Sequence, residues 1–141
     1  MRLFKERGYD KTTMRAIASE AGVSVGNAYY YFASKEHLVH GFYDRVTRDH
    51  IAATRDALRG RTDFAGRLQV ALDAWIDVAE PYHAFAVQFF RNAADPDSPL
   101  SPFSAESYPA RQTVVELYRE VLSGSTLKLD AEMAELLPEL L

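Results

Sequence analysis

Four apolar helical stripes in this chain run into a glycine, at Gly8, Gly22, Gly60 and Gly124, and before each following stripe stands a Ser, Thr or Asp. That punctuation dictates a series of short helices. Glycine ends a helix cheaply because it enters the left-handed conformation, and a small oxygen-bearing side chain fills the bare N–H groups that begin the next one. Thr12 or Thr13 caps a helix with the stripe Met14, Ile17, Ala18 and Ala21, an i, i+3, i+4, i+7 set. Gly22 stops it and Ser24 caps a short successor. Ser34 caps a long helix with Leu38, Phe42 and Val46 on one face, running to about Arg59. Thr62 or Asp63 starts a helix carrying Phe64, Leu68, Leu72, Trp75 and Ile76, and it ends before Pro81. Tyr82 to Ala94 carries Phe85, Ala86, Phe89 and Phe90 at helical spacing, and "DPDSPLSPF" is a loop. A helix with Pro109 in its first turn carries Val114, Leu117, Tyr118 and Val121, and Asp130 caps the last one. No strand, repeat or low-complexity tract is apparent, so the expected fold class is all-α.

With 141 residues, a hydrophobic share of 48% and an aromatic share of 12%, the chain can bury a core and is not disordered. It has no cysteine, which removes disulfides and thiolate metal sites and fits a reducing cytoplasm. No signal pattern or membrane-length apolar run appears, so a soluble cytoplasmic protein is expected. The net charge of −4 is unevenly spread. Residues 1–50 carry eight Lys/Arg against six Asp/Glu, a net of +2, and residues 51–141 carry eight against fourteen, a net of −6. A basic head on an acidic body follows. Both ends read as cut: Met1 falls one turn before an apolar pair, leaving too little for a stable first helix, and "ELLPELL" stops mid-run.

The stretch "AGVSVGNAYYYF" carries the chemistry. Glycine in the turn and a hydroxyl cap on the second helix make a helix-turn-helix. With Ala28 placed toward the core and Val23 and Phe32 as braces, Gly26, Asn27 and Tyr30 face outward, and Tyr29 and Tyr31 flank them. Such a face suits a DNA groove. Glycine admits a close backbone, asparagine pairs with adenine, and phenols reach phosphate oxygens. Lys35 and the N-terminus of its helix add a further phosphate site. The blander reading of the tyrosines is an aromatic patch sealing the motif against the next helix, but the spacing of cap, glycine and lysine weighs for DNA.

The run "GYDKTTMRAIASEAGVSVGNAYYYFASKEHL" resembles the tetracycline-repressor (TetR) family of bacterial transcription regulators, over residues 3–40. The resemblance implies DNA contact by Arg15 and, on the recognition helix, by Val25, Asn27, Tyr29, Tyr30 and Tyr31, with Lys35 beyond and Thr13 touching phosphate. Ala28 departs from the family's larger Leu or Phe, and Val25 stands where a polar residue would read more of the sequence. For Arg15 the alternative is an ion pair with Glu20 or Asp10. The resemblance also implies a double-stranded operator, a homodimer formed by the last helices of the complete protein, and a cavity for a small apolar effector. Trp75, Phe89 and Tyr118 are the candidate lining of that cavity, although aromatics at helical spacing are first of all core. The expected domains are therefore a DNA-binding module over 1–46, with its first helix incomplete, and a ligand-binding and partial dimerisation body over 47–141.

His37, His40 and Asp44 fall at i, i+3 and i+7, a spacing that can ligate a metal, yet no second cluster completes a shell. His83 has no assignable nucleophile. No phosphate-cradling loop appears. Neither a cofactor nor an enzyme is expected. The rival reading is a helical ligand-binding or protein-interaction module without DNA binding.

Overall fold

A helix of six or seven residues does not persist by itself, because nucleation costs more than its few hydrogen bonds return. Three such helices open this chain, and each is held by a specific side chain. The computed structural model describes residues 2–83, 94, 98, 100–101 and 104–141, and no strand occurs among them. Contacts divide the chain into two units, Met1–Tyr43 with Tyr82–Ser107, and Asp44–Pro81 with Tyr108–Leu141.

In the first unit, α1 (Arg2–Arg7) forms despite its length. Leu3 and Phe4 are buried, and Gly8 turns left-handed at φ 78° so that its N–H reaches the Phe4 carbonyl. The fully buried Thr12 hydroxyl donates to the Gly8 carbonyl at 2.7 Å and lies 3.3 Å from that of Leu3, satisfying the end of α1. Thr12 is therefore the staple of α1, and Thr13 is the cap of α2 (Met14–Glu20). Next come α3 (Val25–Tyr31) and α4 (Lys35–Ala57). Ser34 accepts from the His37 N–H at the start of α4. The core gathers Phe4, Val39 and Leu100, with Ile17, Leu38 and Phe42 packed against it. Leu38 and Phe42 are only half-buried. Val39, which the expected stripe passed over, is the fully buried residue of this turn. The Phe42 ring meets Tyr82 edge-on at 4.8 Å.

The second unit contains the rest of α4, α5 (Phe64–Ala79), a 3-10 turn over Glu80–Pro81 that ends at Tyr82, α6 (Tyr108–Ser123) and α7 (Ala131–Leu140). Asp63 caps α5 through the Gly66 N–H at 2.6 Å, and Asp130 caps α7 through Met133 at 2.8 Å. The core is Leu58, Ala71, Tyr118 and Val121, with Phe64, Leu68 and Val114 around it.

Helix α5 corrects the sequence reading. Phe64 and Leu68 pack inward as expected, but Leu72, Trp75 and Ile76 are 42%, 42% and 59% exposed. The buried stripe is instead Arg67, Ala71 and Ala74, at i, i+4 and i+7. The reason is a buried cation. From α5 the Arg67 guanidinium donates to the carbonyls of Val121 at 2.8 Å, Arg61 at 2.7 Å and Glu120 at 2.9 Å, so it closes the C-terminal end of α6. Gly124 follows α6 at a point where an added Cβ would overlap this guanidinium. Two alanines on the same stripe allow α5 to come close. Arg55 adds an exposed two-point pair with Glu120.

Buried polar groups line α4 in this unit, at Thr47, His50 and Thr54. His50 Nε2 lies 3.0 Å from the Ala71 carbonyl. A carbonyl only accepts, so Nε2 carries the proton and Nδ1 is a bare lone pair. Burial lowers the His50 pKa from its ordinary 6.5, against the smaller opposing effect of that hydrogen bond.

Replacing Arg67 with Met should lower the unfolding free energy in urea by about 3 kcal/mol, since buried helix-end carbonyls lose a charged donor. Lys should not restore it, because one ammonium cannot serve three carbonyls in a fork. Acidification below about pH 6.5 should destabilise the chain through His50. The unfolded imidazole binds its proton first there, so stability falls with a slope of at most about 1.4 kcal/mol per pH unit until the folded pKa is reached. His50→Gln should flatten that part of a pH–stability curve.

Candidate nucleic-acid interface

Helix α3 is held by very little. Of its seven residues only Ala28 is buried, against Met14 and Ala18 of α2. The turn between the helices runs through Gly22 at φ 66°, with the Val23 N–H returning to the Ala18 carbonyl at 3.0 Å. Ser24 Oγ then accepts from the Asn27 N–H at 3.1 Å and starts α3. Beyond the helix, the Phe32 ring lies against Gly41 of α4, where an added Cβ would stand 3.3 Å from it.

Everything else on α3 faces outward. Tyr29, Tyr30 and Tyr31 are 50%, 82% and 70% exposed, and Val25 and Asn27 are also exposed. The rings of Tyr30 and Tyr31 meet edge-on at 5.1 Å. The sealed aromatic patch that sequence alone left open is therefore not what these rings form. Val23 and Phe32, expected as braces, are 41% and 37% exposed. Phe32 braces through one face, and Val23 contributes its backbone.

Thr13 stands at the N-terminus of α2, where its hydroxyl accepts from the Ala16 N–H at 3.2 Å. Arg15 is exposed and, among the described residues, forms no ion pair. Its alternative partner Glu20 is taken by Arg2, whose Nε donates at 2.7 Å and whose hydrogen bond holds the carboxyl below its usual range. Thr13, Tyr29, Ser34 and Lys35 line one open groove of about 330 Å³, with Asp10 and Met14. Of the sequence-derived residues, Thr13, Tyr29 and Lys35 thus share this groove, and all eight lie in the first unit.

Lys35 is the exception in its bonding. Its ammonium donates to the Tyr9 carbonyl at 2.9 Å and sits 4.3 Å from the centre of the Tyr9 ring. Tyr9 had given no functional signal, since its partners lie 26 and 27 positions away. Its phenol donates to the Glu36 carboxylate, and its ring stacks on Phe4 at 5.7 Å. Burial and the Glu36 bond push the Tyr9 phenol well above its ordinary range. Burial alone would raise the Glu36 carboxyl. The bonds from Tyr9 and Ser34 outweigh it and hold the carboxyl below its usual range.

The other candidates separate. Trp75 is half-exposed, with its ring edge against His50 at 5.4 Å. Tyr118 is buried in the second unit's core, and burial raises its phenol pKa. Phe89 lies outside the described residues. His37 is exposed, and the His40 ring meets Tyr43 at 6.1 Å. Among the described residues no group of three His, Asp or Glu gathers as for a metal, and no helix is long and apolar enough to cross a membrane.

Two family models match the chain. The one described as "Bacterial regulatory proteins, tetR family" covers residues 1–41, and "Tetracyclin repressor-like, C-terminal domain" covers residues 67–141. Among curated proteins, the transcriptional activator FasR of Mycolicibacterium smegmatis is 37% identical over 78 residues, 55% of this chain and 36% of its own length. The transcriptional repressor KstR2 of Mycobacterium tuberculosis is 37% identical over 89 residues, 60% of this chain and 42% of its own. The aligned stretches thus span less than half the length of these two relatives. A solved structure of the M. tuberculosis ketosteroid regulator KstR2 matches over 99% of this chain and 71% of that one, at 26% identity and a TM-score of 0.53. The TetR-family regulator PfmR of Thermus thermophilus, 21% identical over 99% of this chain and 76% of its own, shares the fold at a TM-score of 0.61.

Two glycines should respond oppositely to alanine. Gly22→Ala should destabilise by about 1–2 kcal/mol, because φ 66° is strained for any residue with a Cβ. Gly26→Ala, in the helix with open space around it, should stabilise by about 0.5–1 kcal/mol. Chemical denaturation of the two variants reads both signs.

Proposed function

The chain belongs to the tetracycline-repressor family of bacterial regulators, and from that premise we propose that it is a DNA-binding transcriptional regulator, a ligand-responsive repressor that holds a near-palindromic operator as a homodimer. The observation that carries this reading is the outward face of α3. A helix with one buried alanine and three exposed phenols around Asn27 gains nothing from that surface in folding. In a major groove the same surface has a use. Asn27 offers the amide that pairs with adenine, Gly26 the close backbone, Val25 a methyl contact to thymine, and Tyr29, Tyr30 and Tyr31 hydroxyls for phosphate. Arg15 and Thr13 extend the contacts along α2, with Lys35 at their margin. Residues 1–46 form the DNA-binding module in this reading.

The body, residues 47–141, takes the effector and contributes to the dimer. Its ligand is a small apolar molecule, with Trp75 and Tyr118 of the second unit as proposed lining. Two recognition helices entering successive major grooves must stand about 34 Å apart. A ligand that binds one body conformation more tightly than another changes that spacing's population by its differential binding energy and by no more. Helix α4 supplies residues to both units and is the element through which such a change would pass.

Selection of bound duplexes from a random pool tests the reading, and a palindromic winner is the expected result. Recovery of no preferred sequence would refute operator recognition and leave the rival ligand-binding module. On the winning duplex, Asn27→Ala should cost about 1–3 kcal/mol, with little effect on random DNA. Gly26→Ala, more stable as free protein, should bind that duplex more weakly.

A further inference from the structure

Resting on the reading of the body as a ligand-binding unit, we propose that His50 and Thr54 form the polar anchor of that site, and that the effector is an apolar molecule carrying a hydroxyl group. Both side chains are buried on α4, His50 at 1% exposure and Thr54 at 0%. His50 commits its one ring N–H to the Ala71 carbonyl of α5, 3.0 Å away. Its Nδ1 and the Thr54 hydroxyl then have no hydrogen-bond partner among the described residues. A buried polar atom left in that state costs stability, and two of them one helical turn apart are rare enough to need a cause. Packing supplies none, since a valine has the shape of Thr54 without a hydroxyl to satisfy.

The two atoms complement one another. Nδ1 is a bare lone pair, and burial keeps the ring neutral by lowering its pKa. The Thr54 hydroxyl can donate. Side chains four apart on a helix stand about 5–6 Å between their Cβ atoms, so one oxygen set between them can reach both at about 2.8 Å. That oxygen must donate to Nδ1 and accept from Thr54, which a hydroxyl does through a single atom. A ketone, an ester or a carboxylate brings only lone pairs and would face another at Nδ1. An amide N–H donates but offers no acceptor on the same atom. The surroundings are apolar. Ala71 is fully buried, and Trp75 sets its ring edge against the imidazole at 5.4 Å. Trp75 is half-exposed, so the approach from solvent to the imidazole runs past the one tryptophan of the chain.

That tryptophan reports on binding. Titration of the chain with octanol should change Trp75 fluorescence, and the isomeric heptyl methyl ether, which lacks a donor, should bind about tenfold more weakly. A purely apolar site would order the two the other way, because the ether is the less hydrated solute. Octanol should also move the His50 Nδ1 signal upfield in long-range proton–nitrogen spectra, as donation to a lone pair requires, and the ether should not. Thr54→Val should bind octanol about threefold to tenfold more weakly. Without any alcohol, its urea midpoint should stand at or above that of the unaltered chain. A merely structural threonine would not separate those two readouts.

Equal affinities, tighter binding of the ether, or an unchanged octanol affinity in Thr54→Val would overturn the anchor and leave an apolar ligand site without it. So would a Nδ1 signal already at its hydrogen-bonded position in the free chain and unmoved by octanol, since a resident water would then serve the pair. If neither compound altered the Trp75 fluorescence or the Nδ1 signal, the ligand-binding reading of the body would itself fall, and the anchor with it.

Discussion

The candidate interface depends on the contact between two alanines. Ala18 and Ala28 bring α2 and α3 together with almost no side-chain volume between them, and Met14 closes the edge. A helix turns 100° per residue, so burying one small residue in a seven-residue helix leaves nearly its whole circumference in solvent. The exposure of three consecutive tyrosines follows from that geometry. It does not require any force pushing the rings outward. What α3 lacks in buried area is supplied by fixed local bonds: the Ser24 cap, the return of the Val23 N–H to Ala18, and Phe32 against Gly41. A helix held at its ends in this way is pre-organised for a partner yet contributes little to the core.

Sequence was legible where structure is decided within one helical turn. The caps at Thr13, Ser24, Ser34, Asp63 and Asp130 are relations between a residue and the N–H three positions on, so inspection finds them. The turn at Gly22 and the inward place of Ala28 are of the same kind. Legibility failed where the deciding partner is far along the chain. Helix α5 is apolar around most of its surface, and its buried side is chosen by Arg67, whose acceptors Glu120 and Val121 lie 53 and 54 positions away. The larger Leu72, Trp75 and Ile76 are left half-exposed or more as a result. Tyr9 was opaque for the same reason. Nothing in "RGYDK" announces that the tyrosine will hold both residues of a later "KE" pair.

Formal charge is likewise a poor guide to the charge a partner meets. The first fifty residues carry a net +2, yet Arg2 is paired with Glu20 and Glu6, and Lys35 is turned onto Tyr9. Arg15 keeps its charge available near α3. On the proposed reading, the face presented to DNA is chiefly an amide and phenols, neutral donors that discriminate by geometry more than they attract by field. Long-range attraction would then be modest, and the fit at short range would decide where the protein stays.

The clamp at the end of α6 has one more consequence. A guanidinium does not lose its proton in any physiological solution, and carbonyl oxygens do not gain one. The acceptors at the end of α6 are backbone carbonyls, where a carboxylate pair would dissolve as its acid form appears. Within the same unit His50 is a group that acid can charge, although burial lowers its pKa. The helical body is thus built with an indifferent joint beside a proton-sensitive one, so acid stress would loosen it at α4 and α5 while the seam between α5 and α6 stays shut.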